Sequence, residues 1–406
     1  MFPRGGGGAV SAARRPVHGP GHVARLIRNV TTTAAPEILL HIVNGSTGLA
    51  LSHDGGLYAL IFLTTGAGVR RVDIVGKPDK LPARRDLGAT GAPESRTRGG
   101  AGGTDCRRRA CRGPIVGGVT RIGAIFLPTS APEALLPLAR AAEEAGLAEL
   151  WVWEDCFKQS GVAAASACLA ATTQIAVGIG LMPVPLRNVA LTAMEIATLE
   201  RMFPGRFRAG VGHGVQSWME QAGVRAASPL MLLREQLAAL RALLDGQRVS
   251  TQGRYVRLDE VVLDWPPQQR VPLFAGAEGP KSLQLSGALA EGTLLPAGTT
   301  VDRLRVAREQ IDIGRERAGR TDHHDVTVFV PVATGPGAQA RLDACQAGWG
   351  FDGVGWGAAG DAEKVAHRLG AWAEAGADAI ALQPCEDEPD PAAFMAFAGE
   401  VAQLLR

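Results

Sequence analysis

From Arg121 to the end, the chain alternates short apolar runs with longer amphipathic ones, and the alternation repeats eight times. Short apolar runs predict strands at Arg121–Leu127, Glu149–Glu154, Gln174–Leu181 and Phe207–Val211, then at Val271–Ala275, Thr293–Leu295, Asp325–Ala333 and Asp378–Gln383. Helical spacing fills the intervals. The first helix is expected over Pro132–Ala145, with Ser130 as its cap and Gly146 past its end. Val249–Leu263 reads as a β-hairpin insertion around Gln252-Gly253. Strands that alternate with helices form a parallel sheet with right-handed crossovers. Eight such units after residue 118 match a (β/α)8 TIM barrel, whose usual size is about 250 residues. The rival is a doubly wound open sheet, which the lack of a dinucleotide fingerprint in the first unit disfavours.

In a barrel the site lies at the C-terminal ends of the strands. That rule gathers Asp155, Gly180-Leu181, Gly212-His213-Gly214, the stretch Gly276 to Lys281 and Gln383 around one mouth. The most informative segment is Arg187 to Gly223. Leu191, Ile196, Leu199 and Met202 recur at roughly helical spacing, and Pro204-Gly205 ends that run. The strand Phe207–Val211 then opens into Gly210-Val211-Gly212-His213-Gly214 before another helical start. Glycines between a strand and a helix expose backbone N–H groups that suit a phosphate. The motif is not the dinucleotide fingerprint, because Val215 stands where the third glycine belongs. By itself it equally fits a tight strand-to-helix turn.

The first 118 residues have a different composition. They hold 17 Lys+Arg against 7 Asp+Glu, while residues 119–406 hold 25 against 33. The net charge of +2 therefore conceals a basic leader and an acidic body. Strands are expected at Leu57–Leu63 and Val69–Val75, and Ala83–Gly113 is too rich in glycine and arginine to order itself. The segment reads as a poorly ordered extension, or as translated sequence upstream of the true start. A transit peptide and a nucleic-acid arm fit less well, the latter for want of aromatic residues among the basic ones. The six cysteines match no zinc spacing, so no metal is expected, and free thiols suit a reducing cytoplasm. No apolar run approaches the length of a membrane span.

Several long motifs occur in an order that is similar to one family. LWVWEDCF, VGIGLMPVPLRNVALTAMEIATLERM, PGRFRAGVGHG, LFAGAEGPKSLQLSGALAEGTLL and GADAIALQP together resemble the luciferase-like flavin and deazaflavin oxidoreductases. The resemblance covers residues 119–406 and implies a TIM barrel of the bacterial-luciferase type. It implies an oxidoreductase or monooxygenase that acts on a small organic molecule with the deazaflavin coenzyme F420 or FMN, the deazaflavin preferred. The alternative is a flavin-binding barrel without catalysis. It also implies a non-proline cis bond at Gly180-Leu181 and a phosphate-holding loop at Gly212, His213 and Gly214. Gly276, Gly279 and Lys281 match a second loop on the cofactor side, where Lys281 either neutralises a phosphate or is solvated. Arg187 either meets a phosphate or acidic tail of the cofactor, or holds Glu195 or Glu200. Asp155 falls where relatives carry an acidic residue able to act as acid or base, and His213 is a second catalytic candidate. Cys156 stands where branches that oxidise alcohols and sugar phosphates have histidine. Trp153, Trp218 and Trp356 are candidate pocket walls. The family implies a homodimer, with neither nucleic acid nor membrane as partner.

Overall fold

The structure is a computed structural model and describes residues 37–43, 46–53, 56–66, 68–75, 120–349 and 355–406. The chain divides into two units, residues 1–107 and 108–406. In the first, β1 (Glu37–Val43), β2 (Ser46–His53), β3 (Gly56–Gly66) and β4 (Gly68–Val75) form an antiparallel meander in sequence order. The two strands expected in this stretch fall within β3 and β4. The Gly/Arg-rich segment, Cys106 and Cys111 lie outside the described residues.

The second unit is a closed barrel. Its strands are β5 (Arg121–Phe126), β6 (Glu149–Val152), β7 (Ala176–Pro183) and β8 (Phe207–Gly212), followed by β11 (Leu273–Gly276), β12 (Gly292–Leu295), β13 (Asp325–Ala333) and β15 (Ala379–Pro384). Each pairs in parallel with its neighbour in this order, and Ala379–Leu382 of β15 returns to Arg121–Ala124 of β5. That last ladder excludes the open sheet. The hairpin β9 (Val249–Gln252) and β10 (Arg257–Val261) stands apart. Its turn is held by the Glu235 carboxylate, which accepts from the N–H groups of Arg254, Tyr255 and Val256 at 3.0, 2.8 and 2.9 Å. The two-residue strand β14 (Ala358–Ala359) extends β13.

The helices begin where the sequence supplies caps. Asn188, Thr300, Asp361 and Asp390 each accept a backbone N–H in the first turn of the helix that follows. The first helix departs from expectation. Ser130 does not cap it; Pro132–Ala134 forms a 3-10 turn that leads into Leu135–Glu144, with Ala131 at the cap and no side-chain bond. Pro132 fixes this, because it forces the preceding residue into an extended conformation and is itself suited to the first helical position.

A second departure concerns the helix Val189–Met202. Ile196 and Leu199 are buried as expected, but Leu191 and Met202 are 47% and 62% exposed, on a face shared with Met194 at 57%. The spacing of 191, 196, 199 and 202 mixes two faces, and only packing separated them.

Inside the barrel, Trp151 lies fully buried between Phe274 and Phe329, at ring centroid distances of 6.0 and 5.7 Å. Gly178 on β7 makes room for it, since a Cβ there would come within 2.3 Å of the indole. Below this layer the N-terminal ends of the strands form a charged plug. Glu149, 2% exposed, accepts from Arg121 Nε at 3.0 Å and from Trp151 Nε1 at 3.1 Å, with Arg208 Nε 3.6 Å away. Arg121 also reaches Asp325 at 2.5 Å. Burial opposes ionisation of Glu149, but Arg121 and Arg208 outweigh it and hold the carboxyl below its usual range. Asp325 is instead pushed up, by burial first and by the neighbouring carboxylates of Glu149 and Asp378, which together outweigh Arg121.

Removing one member of such a buried pair strands the other. Glu149→Ala is expected to lower stability by about 3 kcal/mol, the usual loss for breaking a buried ion pair, as read by urea denaturation at pH 7. A depressed folded pKa stabilises above the unfolded value and loses that contribution as pH falls, so the deficit should shrink on acidification. A deficit that is independent of pH would contradict this assignment.

Candidate active site

At the opposite end, the C-terminal ends of the strands surround a cavity of about 630 Å³. This lies within the range of small-molecule and cofactor sites. The features that line it divide along the barrel. The contiguous arc β7–β8–β11 contributes Gly180, Leu181, Pro183, His213, Gly214 and the stretch Gly276–Gly279. The arc β13–β15–β5–β6 contributes Phe329, Gln383, Glu386, Leu127, Trp153, Glu154, Asp155 and Lys158.

Gly180-Leu181 is a cis peptide, as expected, and the β7–β8 register shifts between Ile179 and Met182. The Leu181 side chain lies over two glycines of the neighbouring strands. A Cβ on Gly212 would come within 2.5 Å of Leu181 Cδ2, and one on Gly276 within 2.2 Å. Gly212 belongs to the β8 ladder, pairs with Pro183 and does not line the cavity. Leu181 fills the space above both positions; Gly276 still lines the cavity, whereas Gly212, expected to contact the cofactor, does not. A second non-proline cis bond, Cys156-Phe157, was not anticipated from the sequence.

Gly214 and Gly279 differ from that pair. Gly214 has φ +66°, which favours glycine, and precedes the helix Gln216–Gln221. Gln216 Nε2 holds this turn by donating to the carbonyls of His213 and Gly214 at 3.3 and 3.2 Å. Gly279 caps the ten-residue helix Pro280–Leu289 without any side-chain bond, and a Cβ on it would meet only Ser282 Oγ at 3.9 Å. The unsatisfied first-turn N–H groups and the positive end of the helix dipole therefore open on the cavity, a favourable place for an anion. Lys281, one residue inside that helix, is exposed and does not line the cavity. Its solvated reading is the one realised.

Arg187 is likewise committed elsewhere. Its guanidinium grips Glu154 through both terminal nitrogens, Nη2 donating to Oε2 at 2.9 Å, and Nε donates to Glu195 Oε2 at 3.0 Å. Arg187 does not line the cavity, so the sequence reading that it meets the cofactor gives way to the one in which it holds Glu195. The partner missing from that reading is Glu154, which also accepts the Gly161 N–H at 2.8 Å and ties β6 to the next helix. Adjacent acids at a strand end are hard to assign from sequence, because a one-residue step reverses the face.

Three buried polar atoms on lining residues have no hydrogen-bond partner among the described residues: Trp153 Nε1, His213 Nδ1 and Gln383 Oε1. Native interiors leave few such atoms, and those that remain need a ligand, a water or a function. Trp153 stacks on Phe329 at 6.0 Å and 25°. Burial pushes the His213 imidazole below its usual range, while its bond to the Pro229 carbonyl acts in the opposite direction. The downward shift favours the neutral ring. Burial pushes the Asp155 carboxyl up, and Lys158 offsets part of this. Trp218 lines the cavity, whereas Trp356 is buried away from it against Ala333, Ala338, Leu342 and Cys385. Phe329, Glu386 and Lys158 were not singled out from the sequence. All three lie on or just beyond barrel strands, which is the one signal that would have found them.

Comparison with known proteins agrees with this geometry. Residues 119–382 match the family model for luciferase-like monooxygenases. The chain is 29% identical over 198 residues to a 5,10-methylenetetrahydromethanopterin reductase of Methanolobus tindarius, covering 49% of this chain and 60% of that protein. It is 28% identical over 229 residues to an F420-dependent glucose-6-phosphate dehydrogenase of Microbacterium testaceum, covering 52% and 67%. The matches to the reductases thus span less than two thirds of their length. Among solved structures, an F420-dependent secondary alcohol dehydrogenase bound to an F420-acetone adduct superposes with a TM-score of 0.64 at 23% identity, over 71% of this chain and 99% of that one. The monooxygenase RslO1 from Streptomyces bottropensis gives 0.60 at 18% identity, over 69% and 98%. With its closed parallel barrel and a family match over more than half its length, this chain belongs to the luciferase-like monooxygenase family.

Proposed function

We propose that this protein is an oxidoreductase that transfers a hydride between the deazaflavin coenzyme F420 and a small organic substrate. The observation that carries the reading is the coincidence, in one cavity, of an uncapped helix N-terminus, a left-handed glycine turn and three unpartnered buried polar atoms. The names of the curated relatives and of the alcohol dehydrogenase neighbour favour F420 over FMN. Gly279, Ser282 and Gly214 would hold the anionic part of the coenzyme with backbone N–H groups, and Leu181 would support its ring. Bound there, a deazaflavin supplies a carbon that accepts or returns a hydride.

The protein's share is then orientation and proton management. When a substrate C–H leaves with its electron pair, the adjoining O–H must lose a proton. Asp155 is placed to take it as the carboxylate, and to return it as the acid in the reverse direction. His213, whose neutral form burial favours and whose Nδ1 has no partner, is the second candidate acceptor. Since the Asp155 pKa is raised, oxidation should accelerate as pH rises through a value above the usual carboxylate range, and reduction should slow over the same interval. Asp155→Asn is expected to abolish that limb and reduce kcat by about 10²- to 10⁴-fold, with coenzyme affinity unchanged. A profile that Asp155→Asn leaves unaltered would reassign the proton to His213.

The two groups of glycines give a test of coenzyme placement by absorbance titration of the full-length protein. Gly279 has ordinary dihedrals and open space, so Gly279→Leu should keep the melting temperature while weakening F420 binding by about tenfold or more, or 1.4 kcal/mol. Gly212→Ala should instead lower the melting temperature through its clash with Leu181. Tight binding of reduced FMN with no affinity for F420 would redirect the reading to an oxygen-activating monooxygenase.

We also place the protein in the cytoplasm as a homodimer. The described cysteines are all free, and no helix among the described residues is long and apolar enough to cross a membrane. Leu191, Met194 and Met202 form an exposed apolar face on one barrel helix, suited to a symmetric partner. Sedimentation should give a dimer, and Met194→Glu with Met202→Glu should convert it to a monomer.

A further inference from the structure

The arc β13–β15–β5–β6 differs in chemistry from the arc that presents the helix N-terminus. It contributes three carboxylates to the lining, Glu154, Asp155 and Glu386, and one cation, Lys158. No arginine lines the cavity among the described residues, and Arg187, which pairs with the lining residue Glu154, is occupied by it and by Glu195. The two unpartnered atoms of this arc are complementary. Gln383, 1% exposed, has a buried carboxamide oxygen without a partner, and Trp153, stacked on Phe329, has a buried indole N–H without one. Gln383 is on β15 and Trp153 follows β6, the two strands that flank β5.

From this we infer that the β15–β5–β6 side of the cavity selects an uncharged substrate through a hydroxyl or amide group other than the one oxidised, which donates to Gln383 Oε1 and accepts from Trp153 Nε1, and that it rejects phosphates and carboxylates. A hydroxyl or an amide satisfies both atoms at once. An anion satisfies only the tryptophan and leaves the Gln383 oxygen unpaired, a loss that buried polar sites do not tolerate. It would also meet Asp155 and Glu386 with a single lysine to compensate. The sugar-phosphate relatives are therefore similar in sequence without being a guide to what enters this arc. The inference rests on the coenzyme reading above, because it assigns to substrate the arc that the coenzyme leaves free.

The test uses the full chain. A titration with F420 comes first and judges the coenzyme reading by itself; if F420 does not bind, that reading fails and the arc is judged on the coenzyme-free protein. Saturation-transfer NMR then follows four probes on one carbon skeleton: cyclohexanol, cyclohexanecarboxamide, cyclohexanecarboxylate and cyclohexyl phosphate. The alcohol and the amide should bind at least tenfold more tightly than either anion. Gln383→Leu should remove about tenfold from the two neutral probes while F420 affinity stays the same. Trp153→Phe, which keeps the stack and deletes only the N–H, should do likewise and guards against a folding defect at Gln383. Equal or tighter binding of the anions, no binding of the neutral probes, or neutral binding that survives both substitutions would overturn the inference.

Discussion

Closure of the barrel between β15 and β5 is the constraint on which the other features depend. Once Ala379–Leu382 pair with Arg121–Ala124, no strand edge remains among the eight, and all their C-terminal ends share one rim. Residues more than 200 positions apart, such as Trp153 and Gln383, then line the same cavity. The N-terminal end is closed by the ion cluster of Arg121, Glu149, Arg208 and Asp325. Above it, Trp151 and its two phenylalanine neighbours fill the interior. The cavity therefore lies at one end, and among the described residues six of the eight loops that follow a barrel strand contribute to it.

Leu181 shows how tightly that rim is built. Its side chain occupies the room that β carbons would take on Gly212 and Gly276, so three adjacent strands share one packing solution. The glycines that a sequence reader assigns to phosphate binding thus have two causes. Gly212 and Gly276 accommodate a side chain, whereas Gly214 and Gly279 shape backbone that faces the cavity. The first kind ends a strand and the second follows one, and in sequence both read as a glycine-rich loop.

The site was partly legible. Asp155, Gly180, Leu181, His213, Gly214, Gly276, Gly279 and Gln383 were all expected at one mouth, and all line one cavity. The rule that places sites at strand C-termini needs only the order of the elements, and the sequence carries that order. Arg187 and Lys281 were less legible because each is a long cation near a helix start, where one turn separates the cavity from solvent or from another carboxylate. Arg187 went to Glu154 and Glu195, and Lys281 went to water.

What the sequence determined by itself was the alternation of strands and helices, hence the parallel barrel and the end at which its site lies. Those properties follow from local periodicity, caps and glycine or proline punctuation, which act over a few residues. The tertiary structure alone decided the partners. It turned Leu191 and Met202 outward, sent Trp356 to a satellite cluster away from the cavity, and gave Arg187 to Glu154. It also left Trp153 Nε1 and Gln383 Oε1 without partners on the same arc of the cavity. Periodicity specifies which face of an element is apolar, but not which distant residue that face will meet. That is fixed only when closure brings the strands to their neighbours.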